Sequence, residues 1–258
     1  MSSSLSVRGI ARVWRRFSMT LTRHLWGTLV NDLLGPTLQV LAYGFGIGSV
    51  VGSIAVGGMD VSYRAFVICG LVASSALWQG FFRGSYGAYM RMVYERLYKL
   101  IPSTPVTLDE LVVGEMVWGA TMGALSGLGA LLIGLLTGDL SWHGVPLALL
   151  SAFLGGWLFT AVGLVCAALA KDIHQLEYPI NLVVMPLYLF SGVFFPLDLM
   201  PVWTQWLAEG LPLAAVVTLC RHALLGTPLQ PWSLVSGLIW WLVLTSVAVV
   251  LVRRKMER

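Results

Sequence analysis

The residues that usually carry reaction chemistry are few in this chain, and their spacing argues against most enzymes. The four histidines, His24, His143, His174 and His222, are scattered, and no His-Glu-x-x-His run places two imidazoles on one helical face around a zinc ion. The three cysteines form no disulfide framework. Cys69 and Cys166 lie inside apolar runs, where a free thiol behaves as a small hydrophobe. A phosphate-cradling loop needs Gly-Lys-Ser/Thr, but the lysines follow Tyr98, Ala170 and Arg254, which excludes nucleotide hydrolysis within the chain. Ser126–Gly127 and Ser191–Gly192 sit in apolar stretches, where an intramembrane serine hydrolase would keep its nucleophile. Neither has a histidine placed to activate it, and a packing serine in a glycine-rich helix accounts for both.

The elements that position these residues follow from composition. Hydrophobic residues make up 57% of the 258 and charged residues 11%, with a formal net charge of +4. Soluble domains carry about a quarter charged residues. So little charge excludes a water-soluble globule, a disordered chain and a nucleic-acid binder. The expected fold is an all-α membrane protein forming a single transmembrane domain over 1–258. A span needs about 20 apolar residues, and the uncharged runs predict six, at 31–53, 64–86, 111–137, 146–170, 178–197 and 232–252. No Asp or Glu falls deep in these spans, which argues against a proton or sodium pathway.

The segment 5–27 is predicted to be an amphipathic helix in the membrane interface. At 100° per residue, Arg8, Arg12, Arg15, Arg16 and Arg23 share one face and Val7, Ile10, Val13, Trp14, Phe17, Leu21 and Leu25 the other. The basic face would meet lipid headgroups. No compact apolar core follows these arginines, so the segment does not read as a signal peptide. With six spans both termini share one side, and most of the 16 basic residues then fall there, which the positive-inside rule assigns to the cytoplasm.

Two connections are unlike simple loops. The cytoplasmic segment 89–108 begins as a charged, aromatic-rich helix, stops at Pro102 and restarts at Thr107 and Glu110, spaced as a capping box. Asp109, Glu110 and Glu115 load the start of the third span, where the helix dipole favours carboxylates. The outer segment 198–228 is apolar, with Trp203 and Trp206 and two short stretches split at Glu209–Gly210–Leu211–Pro212, which predicts a re-entrant hairpin with interfacial tryptophans. Gly44, Gly48 and Gly52, and again Gly119, Gly123 and Gly127, recur every fourth residue. Such stripes bring helices backbone to backbone, within the chain or between subunits.

The run NLVVMPLYLFSGVFFPLDLMPVWTQWLAEGLPL, Asn181 to Leu213, resembles the ABC type-2 exporter permeases, with their Phe-Ser-Gly, Phe-Phe-Pro-Leu, Pro-x-Trp and Leu-Pro-Leu sequence. Met200–Pro201 stands where that family usually reads Leu-Pro. LVVGEMVWGATMGALSG, Leu111 to Gly127, is similar to the nodulation-type (NodJ-like) and drug-exporter permeases. The resemblance implies a permease in a bacterial inner membrane that pairs with a second copy of itself and with two copies of a separate ABC ATPase subunit. ATP and Mg would then belong to that partner, with no cofactor and no metal in this chain. It also implies contact with membrane lipid and none with nucleic acid.

Residue by residue, the resemblance makes Met92, Glu95, Arg96, Tyr98 and Lys99 part of a coupling helix from Met92 to Ile101 that exposes Glu95, Arg96, Tyr98 and Lys99 to the ATPase. Lys171 and Asp172 would make a second contact. It also places spans one, two and five around a dimer axis, so that Gln39, Tyr43, Trp78, Gln79 and Tyr188 become candidates to line a substrate path, though for any one taken singly an ordinary packing or interfacial role is the readier explanation. The function so implied is ATP-driven outward movement of an amphiphilic or lipid-linked substrate. A stand-alone channel or secondary carrier and an intramembrane hydrolase are the alternatives.

Overall fold

The computed structural model describes residues 6–23, 25–95, 97–100 and 104–256. The first helix, α1 (Val7–Arg23), leaves Arg8, Arg12, Arg15 and Arg16 exposed and turns Val13 inward. It lies against α6 (Leu108–Leu136), and Gly114 makes the approach possible, since a Cβ there would stand 2.6 Å from the Val13 Cβ. Trp14 and Phe17 rest on Trp118 with ring centroids at 6.3 and 5.9 Å, and Trp14 Nε1 donates to Thr121 Oγ1 at 3.1 Å. Part of the apolar face expected to meet lipid is therefore covered by the bundle.

α2 (Leu25–Gln39) contains Pro36, which has no amide hydrogen to give the ladder. The helix widens into a π-helical stretch, Val40–Ile47, continues as α3 (Gly48–Val51) and stops at Gly52, whose φ is 71°. A small antiparallel hairpin follows, β1 (Ser53–Val56) with β2 (Met59–Ser62), Ser53 facing Ser62. Gly57 and Gly58 turn it at φ 56° and 80°, the left-handed pair that tight hairpins need. Among the described residues this hairpin is the one strand pairing in an otherwise helical fold, which keeps the all-α class.

α4 (Tyr63–Phe82) starts at Ser62, whose hydroxyl accepts the Ala65 amide at 3.2 Å. Its helical path continues through π-helical Arg83–Gly87 and Met90–Tyr94. The whole run from Tyr63 to Tyr94 has 32 residues. At 1.5 Å per residue that is about 48 Å, against a hydrocarbon core of about 30 Å. Its last turns therefore extend beyond any single crossing, toward the short α5 (Leu97–Leu100).

The centre of the bundle is α4, α6 and α7 (Val145–Leu169). These helices touch through glycine: a Cβ on Gly80 would meet the Gly156 carbonyl oxygen at 2.5 Å, and one on Gly123 would lie 3.1 Å from the Cα atoms of Ala76 and Gly156. Lipid removes the usual hydrophobic drive between helices, so such close backbone contact supplies the dispersion that holds them. α6 begins with the expected capping box, Glu110 N donating to Thr107 Oγ1 at 3.2 Å and Thr107 N to Glu110 Oε2 at 2.8 Å.

The expected fifth span at 178–197 is shorter than a span. α8 (Glu177–Pro179), π-helical Ile180–Val184 and α9 (Met185–Phe190) form one path that ends at Phe190. Roughly 14 residues reach about 21 Å. Gly192 then turns at φ 78°, and Val193 packs its backbone against Gly70, where a Cβ would meet the Val193 carbonyl at 2.5 Å. α10 (Val202–Glu209) and α11 (Pro212–Leu225) follow, bent by 87°, and α12 (Pro231–Met256) closes the chain. Among the described residues five helices are long and apolar enough to cross a membrane, six if the bent pair counts as one.

Both ends of the described chain gather at the start of α6. Ser6 N donates to Glu110 Oε1 at 3.0 Å, and Arg253 pairs with Asp109. Lys255 Nζ caps the end of α7, donating to the carbonyls of Ala167 at 2.7 Å and Ala170 at 2.8 Å. The opposite end carries the β-hairpin, where Tyr63 OH reaches the Phe194 carbonyl at 3.2 Å and Ser141 N the Leu224 carbonyl at 3.3 Å.

Candidate functional site

At the end bearing the termini, the extension of α4 and the segment after α7 form one protruding surface. Tyr89 OH donates to the Lys171 carbonyl at 2.9 Å, tying the two together. Lys171 and Asp172 are exposed, and Asp172 Oδ1 accepts the Ile173 amide at 2.5 Å, starting the short turn Ile173–Leu176. Glu95 is exposed too, beside the bare apolar side chains of Met90, Val93, Tyr94 and Leu100. A groove of about 520 Å³ runs between Val93, Lys171, Arg254 and Lys255, a basic rim around an apolar floor.

Two of the residues expected at this surface lie elsewhere. Met92 is 2% exposed and Tyr98 1%. Both join a buried cluster with Ala88, Leu111, Met116 and Leu164. The reason is helical continuity: Met92 belongs to the extension of α4, and its side chain faces the bundle. Burial, reinforced by the Glu115 carboxylate, pushes the Tyr98 phenol well above its ordinary range. Arg96 lies outside the described residues, and Lys99 falls in α5. The exposed aromatic at this surface is Tyr94 instead.

Beneath the surface are ion pairs that single positions in the sequence did not reveal. Arg91 holds Glu115 through two bonds, 2.7 and 3.0 Å, and Arg83 Nη2 holds Asp32 Oδ2 at 2.7 Å. Gln79, expected to face a path, donates to Asp32 Oδ1 at 3.0 Å and is committed to that cluster. The acids that the span pattern kept out of the bundle's depth are thus buried near its termini end, each against an arginine.

Three of the five path candidates come together as parts of a continuous aromatic ladder. Tyr43 meets Phe194 at 5.0 Å between centroids, Phe194 meets Tyr188 at 5.0 Å, and Tyr188 meets Trp78 at 5.6 Å. Trp78 stacks on Phe82 at 5.6 Å and Phe82 leads to Tyr86 at 5.9 Å. Tyr43, Trp78, Tyr86, Tyr188 and Phe194 are half-buried and Phe82 is exposed, so one side of the ladder remains open. Gln39 is half-buried on α2, one turn before Tyr43. Phe82, Tyr86 and Phe194 were missed, although Trp78, Phe82 and Tyr86 repeat at four-residue spacing.

The glycine stripes divide. Gly119, Gly123 and Gly127 face Thr160, Ala76 and Val72 within the same chain. Gly44 and Gly48 lie against Arg64 and Tyr63. Gly52 has open space around it and serves the turn, not a contact.

Comparison with known proteins adds to this geometry. Residues 4–225 match the family model described as ABC-2 type transporter. Nodulation protein J of Rhizobium leguminosarum bv. viciae is 32% identical over 248 residues, 95% of this chain and 94% of that protein. Nodulation protein J of Neorhizobium galegae is 33% identical over 251 residues, 95% and 93% of the two chains. The inner membrane transport permease YadH of Escherichia coli (strain K12) is 25% identical over 199 residues, 77% of this chain and 76% of the permease.

Proposed function

As the chain belongs to the ABC-2 type transporter family, we propose that it is the membrane subunit of an ATP-driven exporter that carries an amphiphilic or lipid-linked substrate outward from the cytoplasm or inner leaflet. ATP and Mg bind in a separate ABC ATPase subunit, two copies of which serve two copies of this chain. The complex sits in a bacterial inner membrane, the location in the name of the related Escherichia coli permease. The end bearing the termini faces the cytoplasm, a placement supported by its basic residues. The chain crosses six times, the helical path Glu177–Phe190 together with the non-helical run 191–196, which continues along α4 past Gly70 to Tyr63, making the fifth crossing and α10 with α11 a re-entrant hairpin outside it.

The observation that carries this reading is the aromatic ladder from Tyr43 to Tyr86. Ring faces half-open to their surroundings offer an apolar moiety continuous contact across most of the bundle, with no fixed charge to strip of its hydration. The protruding surface supplies the other half of the mechanism. Its apolar residues Val93 and Tyr94, flanked by Glu95 and Lys171, suit a partner groove, and Arg91 and Arg83 tie it to the middle of α2. When ATP draws the partner subunits together, that surface moves with them, and the ladder face opens alternately to either side.

Reconstitution of the chain with its ATPase into vesicles tests the reading. A fluorescent short-chain amphiphile should change sides only with both subunits and ATP present. Movement by the purified chain alone would indicate a channel or carrier.

A further inference from the structure

At the hairpin end lies a cavity of about 110 Å³ that no ladder ring lines. Arg221 of α11 contributes to its wall and is only 8% exposed. Its Nη2 donates to the Gly192 carbonyl, and its Cζ stands 3.7 Å over the Phe66 ring. The ring offsets part of the buried charge. The Gly192 carbonyl answers one more donor, and Asp198 acts on the charge from across the same cavity, but among the described residues no carboxylate lies within ion-pair distance and the buried Nε has no acceptor. Ser191, 1% exposed and lining the same cavity, likewise has no partner for its Oγ. Two buried polar atoms without a partner, the Arg221 Nε and the Ser191 Oγ, on residues that line one cavity are costly to keep unless something bound there meets them.

We propose that this cavity binds a phosphate ester, with the phosphate oxygens on Arg221 and on the Ser191 hydroxyl. The guanidinium presents several donors in one plane, which match phosphate oxygens. Thr218, Thr227 and Gln230 add neutral polar groups to the lining. The volume fits the group, since one water needs about 10–15 Å³ by such a measure, while an acyl chain would not fit. Asp198, exposed in the same lining, would repel a second negative charge and attract an ammonium. The site therefore suits a zwitterionic phosphoethanolamine headgroup, with its tails left outside. Gly57 at the hairpin tip closes one wall against Pro228, where a Cβ would meet the ring at 2.8 Å. This inference does not depend on the cargo or on the exporter reading.

The purified full-length chain in a neutral maltoside detergent, followed by native mass spectrometry, tests it. The probes are dihexanoylphosphatidylethanolamine, dihexanoylglycerol with the same tails and no phosphate, and inorganic phosphate. The phospholipid should bind saturably, one per chain, and dihexanoylglycerol should not. Ser191→Ala removes one small hydroxyl and should keep the parent's melting temperature while weakening the phospholipid about tenfold, the scale of one hydrogen bond to a charged group. Arg221→Gln should abolish binding. Displacement by inorganic phosphate would make free phosphate a sufficient ligand, and its failure to displace would assign the site to a headgroup; both support a phosphate site. Equal binding of dihexanoylglycerol, no saturable binding, or full binding by a folded Ser191→Ala variant would overturn it.

Discussion

Arg91, in the extension of α4, and Glu115, two turns into α6, share two parallel hydrogen bonds of 2.7 and 3.0 Å. Arg91 also reaches the Arg83 carbonyl at 3.3 Å, and Arg83 in turn holds Asp32 in the middle of α2. The protruding surface is thus joined to α2, α4 and α6 by charge rather than by apolar contact alone. Glu115 is almost wholly buried, so Glu115→Gln should leave Arg91 without a counter-charge and cost about 3–5 kcal/mol. The measurement is thermal unfolding in detergent. Restoring an apolar pair with Arg91→Met and Glu115→Leu should recover most of that loss but uncouple ATP hydrolysis from transport.

Exposed and buried aromatics in this region should respond differently. Tyr94→Ala and Glu95→Ala change surface side chains, so stability should move by less than about 0.5 kcal/mol while affinity for the ATPase subunit falls. Tyr98→Ala empties a buried site and should destabilise by about 3–5 kcal/mol. Paired melting and pull-down measurements separate the two effects. A loss of partner binding confined to Tyr98 variants would place the contact elsewhere.

The ladder predicts a transport defect without an assembly defect. Trp78→Ala removes the ring that joins Tyr188 to Phe82 and should lower export about tenfold or more, with the complex still formed. Photo-crosslinkers at Tyr43, Trp78 and Tyr188 should capture cargo. Capture only at the outward face of α12 would move the path to the outside of the protein.

Acid should loosen the loop between α6 and α7. Burial alone would raise the Asp139 carboxyl, but the Arg64 bonds at 2.5 and 3.0 Å and the Thr137 hydroxyl at 2.5 Å outweigh it, holding the group below its ordinary range. A depressed folded value stabilises the fold at neutral pH and loses that contribution as pH falls from about 4 through the folded value. Asp139→Asn should therefore cost about 1–2 kcal/mol at pH 7 and flatten the acid limb of a melting-temperature profile. An unchanged acid limb would assign the acid sensitivity to other groups.

Much of this architecture can be read from uncharged runs and caps. Ser62 and the Thr107–Glu110 box begin their helices as helix chemistry dictates, and the long spans follow apolar length. Apolar length could not show where span five stops, because Ser191–Gly192 breaks the helix through a left-handed turn inside an apolar run. Nor could it separate Tyr94 from Tyr98, since which side of a widened π-helical path faces inward depends on the packing beneath it. Gly57–Gly58 did carry a hairpin signal. The Arg91–Glu115 and Arg83–Asp32 pairs join positions far apart in the chain, which no local spacing discloses.

We propose that this chain converts a partner's ATP cycle into outward movement along the aromatic ladder. Vesicles holding the chain with its ATPase test it most directly when parent and Trp78→Ala complexes are compared for ATP-dependent flipping of a fluorescent amphiphile. Flipping should require ATP and both subunits, and should fall about tenfold in the variant while ATPase binding persists. Flipping by the chain without the ATPase, or at the parent's rate in the variant, would contradict it.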